Sequence, residues 1–344
     1  MAVRMRVRSG DLFKYGVSAC LTLFLLYLSF RGADTDALAA AVLTADYQWL
    51  LLMFVLLMAS HVLRAVRWGY LLTPIKEGIG FRNLFSGVMV GYFVNNILPR
   101  AGELARPYAL GRLEGISRSA ALGTIVVERM IDAASFLILL TIIPLVYDGP
   151  LRETFPWLVN AGILLTVVMG IFLALIVLLV SRRDLTTRVI RSISRIIPER
   201  WHTRFSEVIH SFLDGFLIVR HPRHIVVLLL LSAGIWVLYI AMTRAAFQAF
   251  QMEDMIGWRA AVVVLAISSI GIAVPTPGST GGYHFFASKT LSALFFVPPE
   301  VALGFATLTH GIGFVGTTTI GLYFLMHDHI RISEAVHSGE GTSS

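Results

Sequence analysis

The chain has 344 residues, of which 56% are hydrophobic and 14% are charged. These proportions exclude an ordinary water-soluble protein and are typical of one that crosses a membrane several times. The formal net charge of +7 at pH 7 favours contact with anionic membrane surfaces. Without a soluble domain, nucleic acid is not an expected partner.

Apolar segments predict six membrane-spanning helices, because a hydrocarbon core of roughly 30 Å needs about 20 apolar residues per helix. The six segments are 14–30, 49–72, 119–146, 157–180, 224–250 and 299–326. Two shorter apolar runs, 84–98 and 259–275, end in proline and glycine. We expect these two runs to enter the membrane and return on the same side.

The distribution of basic residues predicts the orientation, since short loops rich in Lys and Arg stay in the cytoplasm. The N-terminal arm is basic, and the stretch 181–223 holds nine arginines. Both lie in the cytoplasm only if the element 84–112 returns to that side. The element 259–296 then enters from the outside and returns to it, and the last span brings the C-terminus into the cytoplasm. We therefore expect a cell-membrane protein with cytoplasmic N- and C-termini, whose first apolar run is an uncleaved signal anchor.

The two short runs end alike, which indicates an internal repeat. The offset in sequence from Pro99 to Pro275 is the same as the offset from Gly102 to Gly278. Each copy then has three spans and one re-entrant element, and an odd number of spans makes the copies antiparallel. The predicted fold class is an all-α polytopic membrane protein with six spanning helices plus two re-entrant elements in an inverted-topology repeat.

The repeat predicts one membrane domain over residues 1–344, with halves at about 10–150 and about 157–330. The second half includes a basic amphipathic linker at about 181–223, which suits an anionic membrane surface. The short polar tail 333–344 is expected to be disordered.

Charged residues inside apolar segments mark the candidate site, because a charge at the bilayer centre costs at least about 2.5–3.5 kcal/mol. Glu128 and Asp132 share a helix face, and Arg129 reaches Asp132 at a spacing of three. The planar fork of arginine suits a lipid phosphate. The candidate substrate-binding residues are Asn95, Asn96, Arg100, Glu103, Arg106, Glu128, Arg129 and Asp132. The alternative is a structural ion-pair network that holds the first re-entrant element against its helix.

The second re-entrant element is nearly neutral and offers backbone amides and hydroxyls to a headgroup. The candidates in the two re-entrant loops are Pro99, Gly102, Pro275, Gly278, Ser279, Thr280 and His284. Arg64, Arg67 and Trp68, near the cytoplasmic end of the second span, are interpreted as interface anchors, with a headgroup role for Arg64 as the secondary alternative.

Motifs for several enzyme classes are missing from the sequence. It has no GxxxxGK[ST], HExxH or GxSxG pattern, and Cys20 is its single cysteine. We therefore expect no standard hydrolytic or ATP-driven chemistry, no catalytic residues of that kind, no cofactor and no metal site.

Three motifs together resemble the flippase-like family, the transmembrane region of lysylphosphatidylglycerol synthase. They are PRAGELARPYALGR, the ER-x-x-D of Glu128, Arg129 and Asp132, and PTPGSTGGY. The resemblance covers residues from about 10 to 330. It implies a bacterial or archaeal integral membrane protein that translocates or presents lipids such as aminoacylated phosphatidylglycerol, hopanoids or polyprenyl-linked glycans.

Two departures from the family pattern limit that implication. The chain has no C-terminal soluble aminoacyltransferase domain, so we do not expect it to synthesise lysylphosphatidylglycerol. The family's PGG-x-G-x-x-E pattern has serine, threonine and glycine here, and His284 stands near the usual acidic position.

The expected function is a lipid flippase or transporter that moves or presents an anionic or phosphate-linked lipid. Arg100 and Arg106 would bind phosphate, and the protein's partners would be membrane lipids. One alternative is an intramembrane enzyme that modifies a lipid headgroup with Glu128 or Asp132 as general base. Another is a scaffold that recruits enzymes of lipid or cell-envelope synthesis.

Overall fold

A computed structural model describes residues 9–181 and 222–330, together with the single residues 208, 209, 211, 216 and 218. In the two described ranges the fold is helical throughout, with twelve α-helices and one 3₁₀ helix. The α-helices are α1 (Ser9–Phe30), α2 (Thr35–Leu43), α3 (Tyr47–Leu72), α4 (Phe81–Ile97), α5 (Gly102–Glu114), α6 (Arg118–Val146), α7 (Leu151–Thr154), α8 (Leu158–Ser181), α9 (Pro222–Ala249), α10 (Trp258–Ala273), α11 (Gly282–Phe295) and α12 (Pro299–His327). The predicted linker at 181–223 and the tail at 333–344 lie almost entirely outside the described residues.

Four of these helices are long and apolar enough to cross a membrane: α3, α6, α9 and α12. They become five spans if α1 and α2, which meet at an angle of 92°, count as one. Each of the six predicted spans is a helix, and the described side chains of α8 form an apolar stretch over Leu158–Ile171. The chain is thus a multi-pass membrane protein, and the count of six spans stays a prediction.

Both short apolar runs form pairs of helices with a break between them. In the first pair α4 packs against α5 across the break 98–101, and in the second α10 packs against α11 across 274–281. We call these the first and second helical hairpins. Each is pinned by two glycines whose backbones touch, with the same spacing in sequence: Gly91 lies against Gly102, and Gly271 lies against Gly282.

The observed helix bounds change the sequence offset that relates the second hairpin to the first in the predicted repeat. The first residues of α3 and α9 are separated in sequence by nearly the same offset as Pro99 and Pro275. Gly102 begins α5, but the residue that begins α11 is Gly282, four positions beyond the predicted Gly278. The difference is the longer second break, which contains the 3₁₀ helix Pro277–Ser279. The structural counterpart of Gly102 is therefore Gly282, and the antiparallel relation of the copies stays a prediction.

The two breaks lie against each other. Arg100 Nη2 donates to the carbonyl oxygen of Ala273, the last residue of α10, at 2.8 Å. Helix α4 packs against the 3₁₀ helix, and Asn96 lies beside Gly278. Irregular backbone at membrane depth needs such protein cover for its polar groups.

The lengthwise packing of α3 against α9 joins the two halves. Ala65, Trp68 and Leu72 on α3 are fully buried and belong to an apolar cluster with Leu228 of α9. Helix α12 packs on α4, and α1 packs on α11. Ser18 Oγ of α1 also donates to the carbonyl of Pro275 in the second break, at 2.7 Å. The hairpins are therefore enclosed by long helices.

Replacing either hairpin glycine should destabilise the protein, because an added methyl group at Gly102 or Gly282 meets the facing backbone carbonyl. We expect Gly102→Ala and Gly282→Ala to lower the free energy of unfolding by about 1–3 kcal/mol. Gly162→Ala on α8, where an added methyl group meets no atom within 4 Å, is the matched control and should not lower stability; alanine is the better helix former by up to about 1 kcal/mol. Thermal unfolding in detergent measures all three. Equal stability of Gly282→Ala and the wild type would contradict the equivalence of the two glycines.

Glu114, at the end of the first hairpin, forms hydrogen bonds with the loop before α4 and with the first turn of α4. Its carboxylate accepts from Lys76 Nζ at 2.7 Å and from Asn83 Nδ2 at 2.6 Å. Partial burial raises the pKa of Glu114, but the hydrogen bonds from Lys76 and Asn83 outweigh it and hold the pKa below its ordinary value of 4.5. The deprotonated form is thus the one that the fold favours.

Glu114→Gln should therefore remove a stabilisation that depends on pH. A lowered folded-state pKa stabilises the fold above the ordinary pKa, and this stabilisation is lost as the pH falls through the folded value. We expect the wild type to unfold at a higher temperature than Glu114→Gln at pH 7, and the difference to vanish at pH values well below 4.5. A difference that does not change with pH would contradict this assignment.

Candidate functional site

Glu128 of α6 is fully buried and holds arginines from three helices. Arg106 of α5 donates from both terminal nitrogens, Nη1 to Oε1 at 3.1 Å and Nη2 to Oε2 at 3.0 Å. Arg64 of α3 donates to Oε1 at 2.9 Å, and Arg129 donates to the same oxygen at 2.7 Å. One carboxylate thus links the first hairpin to α3 and α6.

Asp132 extends the contacts one turn along α6. It accepts from Arg64 Nη1 at 2.9 Å and from Arg67 Nη2 at 2.7 Å. Arg129 Nη2 forms an ion pair with Asp132 at 3.1 Å. The predicted contact between Arg129 and Asp132 is confirmed. We call the six residues the arginine cluster: Arg64, Arg67, Arg106, Glu128, Arg129 and Asp132.

Helix α9 supplies neutral partners to the cluster from the second half of the chain. Arg64 Nη2 donates to the hydroxyl of Tyr239 at 3.0 Å, and Arg67 Nη1 donates to Ser232 Oγ at 2.9 Å. Ser232 and Tyr239 are seven residues apart, which puts them on one face of the helix. The packing of α3 on α9 therefore brings both halves to the same polar site.

An aromatic ring supports the cluster beside Arg106. The guanidinium of Arg106 lies 4.4 Å from the centre of the Trp68 ring. Trp68 is fully buried, and its Nε1 donates to Thr124 Oγ1 at 3.0 Å. This stacking holds the planar fork in one orientation, which lysine would not reproduce.

The cluster lies deep in the apolar part of the fold. Glu128 is ten residues from the start of α6, which corresponds to about 15 Å along the helix. Its side chain is fully buried, as is that of Arg67, and those of Arg64 and Arg106 are buried almost completely. The side chain of Asp132 is 19% exposed and that of Arg129 is 42% exposed. Access from outside the protein is therefore on the side of Arg129 and Asp132.

The predicted binding residues fall into two groups. Arg106, Glu128, Arg129 and Asp132 come together in the cluster, as expected. The other four, Asn95, Asn96, Arg100 and Glu103, lie at or near the break of the first hairpin.

Three of these residues are bound to the protein itself. Asn95 Oδ1 accepts from the backbone N–H of Gly102 at 2.7 Å, and Asn96 Nδ2 donates to Thr318 of α12 at 2.8 Å. Arg100 has a φ of 62° and bonds to the end of α10, where a cation is favoured by the helix dipole. Glu103 makes no ion pair in the part of the chain that is described. A substrate role for these four residues stays a prediction.

The candidates of the second hairpin lie apart from the cluster and form a neutral group. His310 Nε2 contacts the carbonyl oxygen of Gly278 at 2.9 Å, and its ring centre is 4.8 Å from that of His284. Ser279 Oγ donates to the carbonyl of Ile272 at 3.3 Å, and the N–H of Thr280 donates to the carbonyl of Pro277 at 3.0 Å. These contacts hold the second break in shape.

Arg64, Arg67 and Trp68 are not interface anchors. All three are buried, and both arginines contact the carboxylates of α6. The sequence offered a reason to doubt an anchor role for Arg64, because this residue lies eight residues, more than two turns, before the end of α3. Anchoring arginines lie closer to helix ends, where their heads reach the interface. Nothing in the sequence marked Tyr239 and Ser232 as hydrogen-bond partners of the two buried arginines.

The described residues contain no group of three or more His, Cys, Asp or Glu placed to hold a metal ion. What they do offer is an array of guanidinium groups with a fixed geometry. Such an array is chemically suited to bind a carboxylate or a phosphate.

Comparison with known proteins gives one family and several relatives. The family described as the lysylphosphatidylglycerol synthase TM region matches residues 12–321. A UPF0104 membrane protein of Methanocaldococcus jannaschii is 26% identical over 296 residues, which cover 83% of this chain and 86% of the relative. A UPF0104 membrane protein of Methanothermobacter thermautotrophicus is 29% identical over 292 residues, covering 80% of this chain and 83% of the relative.

Neutralising Glu128 should destabilise the protein more than neutralising Asp132. Glu128→Gln leaves buried arginines unpaired, which costs about 3–5 kcal/mol in comparable buried pairs. Asp132→Asn should cost less, because Asp132 is partly exposed. Glu103→Gln is the matched control for the same change in charge and should alter stability by less than about 0.5 kcal/mol. Thermal unfolding in detergent at pH 7 checks the order. If Glu128→Gln is as stable as Glu103→Gln, the buried carboxylate does not hold the site together.

Proposed function

The chain belongs to the lysylphosphatidylglycerol synthase TM-region family, and we propose that it moves an anionic, phosphate-bearing lipid between the leaflets of the cytoplasmic membrane. The observation that carries this proposal is the arginine cluster inside the apolar fold. Buried charges in membrane proteins are expensive and mark substrate pathways.

The geometry of the cluster supports a phosphate group as its ligand. Arg106 already makes a bidentate contact with a planar carboxylate, and a phosphate offers its oxygens at similar spacing. In the structure Glu128 and Asp132 accept the hydrogen bonds of the arginines, and they thereby take the place of the phosphate of a headgroup. The acyl chains would remain in the bilayer while the headgroup exchanges with these carboxylates.

The paired hairpins support a transport pathway with six spans, two re-entrant elements and an inverted repeat. Broken helices at matching places in two halves are the pattern expected around a transport site. Both breaks meet where Arg100 contacts the end of α10. In this arrangement both termini lie in the cytoplasm, as the basic residues of the N-terminal arm predict.

A lipid-modifying enzyme is supported less well by the same geometry. A general base needs a carboxylate oxygen that is free to take a proton from the substrate. Both oxygens of Glu128 accept hydrogen bonds from guanidinium groups, and both oxygens of Asp132 do the same. A carboxylate held in this way is better suited to positioning arginines than to accepting protons.

Lipid movement in vesicles tests the proposal. Purified protein is reconstituted with a fluorescent anionic phospholipid, and a membrane-impermeant quencher reports which leaflet the lipid occupies. We expect faster exchange than in empty vesicles, and a roughly ten- to hundred-fold loss for Arg106→Gln, because a charge-assisted hydrogen bond is worth about 1.5–3 kcal/mol.

The control for this experiment is Arg82→Gln. Arg82 is half-exposed and makes an ion pair with the buried carboxylate of Asp328 at 2.5 Å, away from the cluster. This variant should keep the wild-type rate. No acceleration by the wild-type protein would reject the lipid-transport proposal, and a changed lipid mass after incubation would favour an enzyme instead.

A further inference from the structure

The arginine cluster carries more positive than negative charge. It has four guanidinium groups, and Glu128 and Asp132 are the only carboxylates that contact them among the described residues. Arginine stays protonated at any pH of interest, so the formal charge of the cluster is +2 when both carboxylates are ionised. A surplus of this size in an apolar interior is costly unless an anion balances it.

Several buried nitrogens at the cluster also lack hydrogen-bond partners. They are Nε of Arg64, Nε of Arg67, Nε of Arg106 and both ring nitrogens of His61. His61 is 3% exposed, lies one turn before Arg64 on α3 and packs on the ring of Tyr92 at 4.3 Å. Buried polar groups in proteins are almost always paired. The unpaired Nε–H donors of the three arginines, beside a positive surplus, indicate an anionic ligand rich in oxygen.

Such a ligand must match both the charge and the number of donors. A phosphate monoester carries nearly two negative charges above its second pKa of about 6 and has three acceptor oxygens. A phosphate that is esterified twice has one negative charge and two free oxygens. A headgroup with an added ammonium would bring a further positive charge towards the guanidinium groups.

We infer that the site prefers a lipid whose headgroup ends in a phosphate with two negative charges over a phosphodiester lipid. The inference rests on the proposed function and names the substrate class of the same site. The ligand would enter beside Arg129 and Asp132, the two exposed members of the cluster. There it adds the two negative charges that the carboxylates do not supply.

A pair of lipids that differ by one methyl group tests the inference. Phosphatidic acid has a terminal phosphate, and phosphatidylmethanol of the same acyl chains has that phosphate capped as a diester. At pH 8 the first is dianionic and the second monoanionic. In vesicles with wild-type protein, we expect phosphatidic acid to exchange between leaflets about ten-fold faster, relative to empty vesicles, than phosphatidylmethanol.

A variant at the entrance connects the preference to the cluster. Arg129→Gln lowers the formal surplus by one charge at a partly exposed side chain, so the ratio of the two rates should fall towards one. Arg82→Gln removes an arginine outside the cluster and should keep the wild-type ratio. An unchanged ratio in Arg129→Gln would overturn the assignment of the preference to the cluster.

The remaining outcomes separate this inference from the proposed function. Equal acceleration of both lipids by the wild type would overturn the charge preference and leave lipid transport intact. Acceleration of neither lipid would overturn lipid transport, and this inference with it. Vesicles loaded with labelled inorganic phosphate should retain it; release that depends on the wild-type protein and is lost in Arg129→Gln would assign the site to free phosphate instead of a lipid.

Discussion

The fold depends on one buried carboxylate, Glu128, because its two oxygens bind arginines that come from different helices. Arg64 belongs to α3 and Arg106 to α5, so the pairing fixes the first hairpin against the bundle. Neither arginine is tolerable in an apolar interior without a negative partner. The carboxylate would be equally costly without them. The charges are therefore a constraint on assembly as well as a candidate binding site, and the two roles use the same contacts.

The two halves of the chain contribute different chemistry to a similar scaffold. The first half supplies every charged member of the cluster, whereas α9 adds only the hydroxyls of Ser232 and Tyr239. The second hairpin carries His284, whose buried ring lies beside that of His310. Close glycine contacts recur in both hairpins, because two backbones can approach this way only without a side chain. The two hairpins thus share a close backbone contact, while their polar side chains differ.

The sequence predicted those parts of the structure that depend on local spacing. Apolar length located the helices, and the four-residue spacing of Glu128 and Asp132 placed both carboxylates on one face of α6. The choice of partners across the fold was not readable. Arg64 is 64 residues from Glu128, and its depth inside α3 argues against an interface anchor without identifying its partner. The same limit applies to Arg100, whose partner is a backbone carbonyl 173 residues away. The shift of register in the second break was hidden because prolines and glycines in both breaks gave the same offset.

The partial balance of charge in the cluster is itself an argument for reversible binding. Four arginines with no carboxylates would hold a phosphate too tightly to release it, and the empty site would be strongly destabilised. Four carboxylates would remove the attraction. With two, the guanidinium groups keep partners in the empty state, and an entering anion must compete with Asp132 for Arg129 at the exposed edge. Conduction and transport both require binding that is favourable enough to admit a ligand and weak enough to let it leave. The same two carboxylates that allow the arginines to be buried therefore also set an upper limit on how strongly the site retains its ligand.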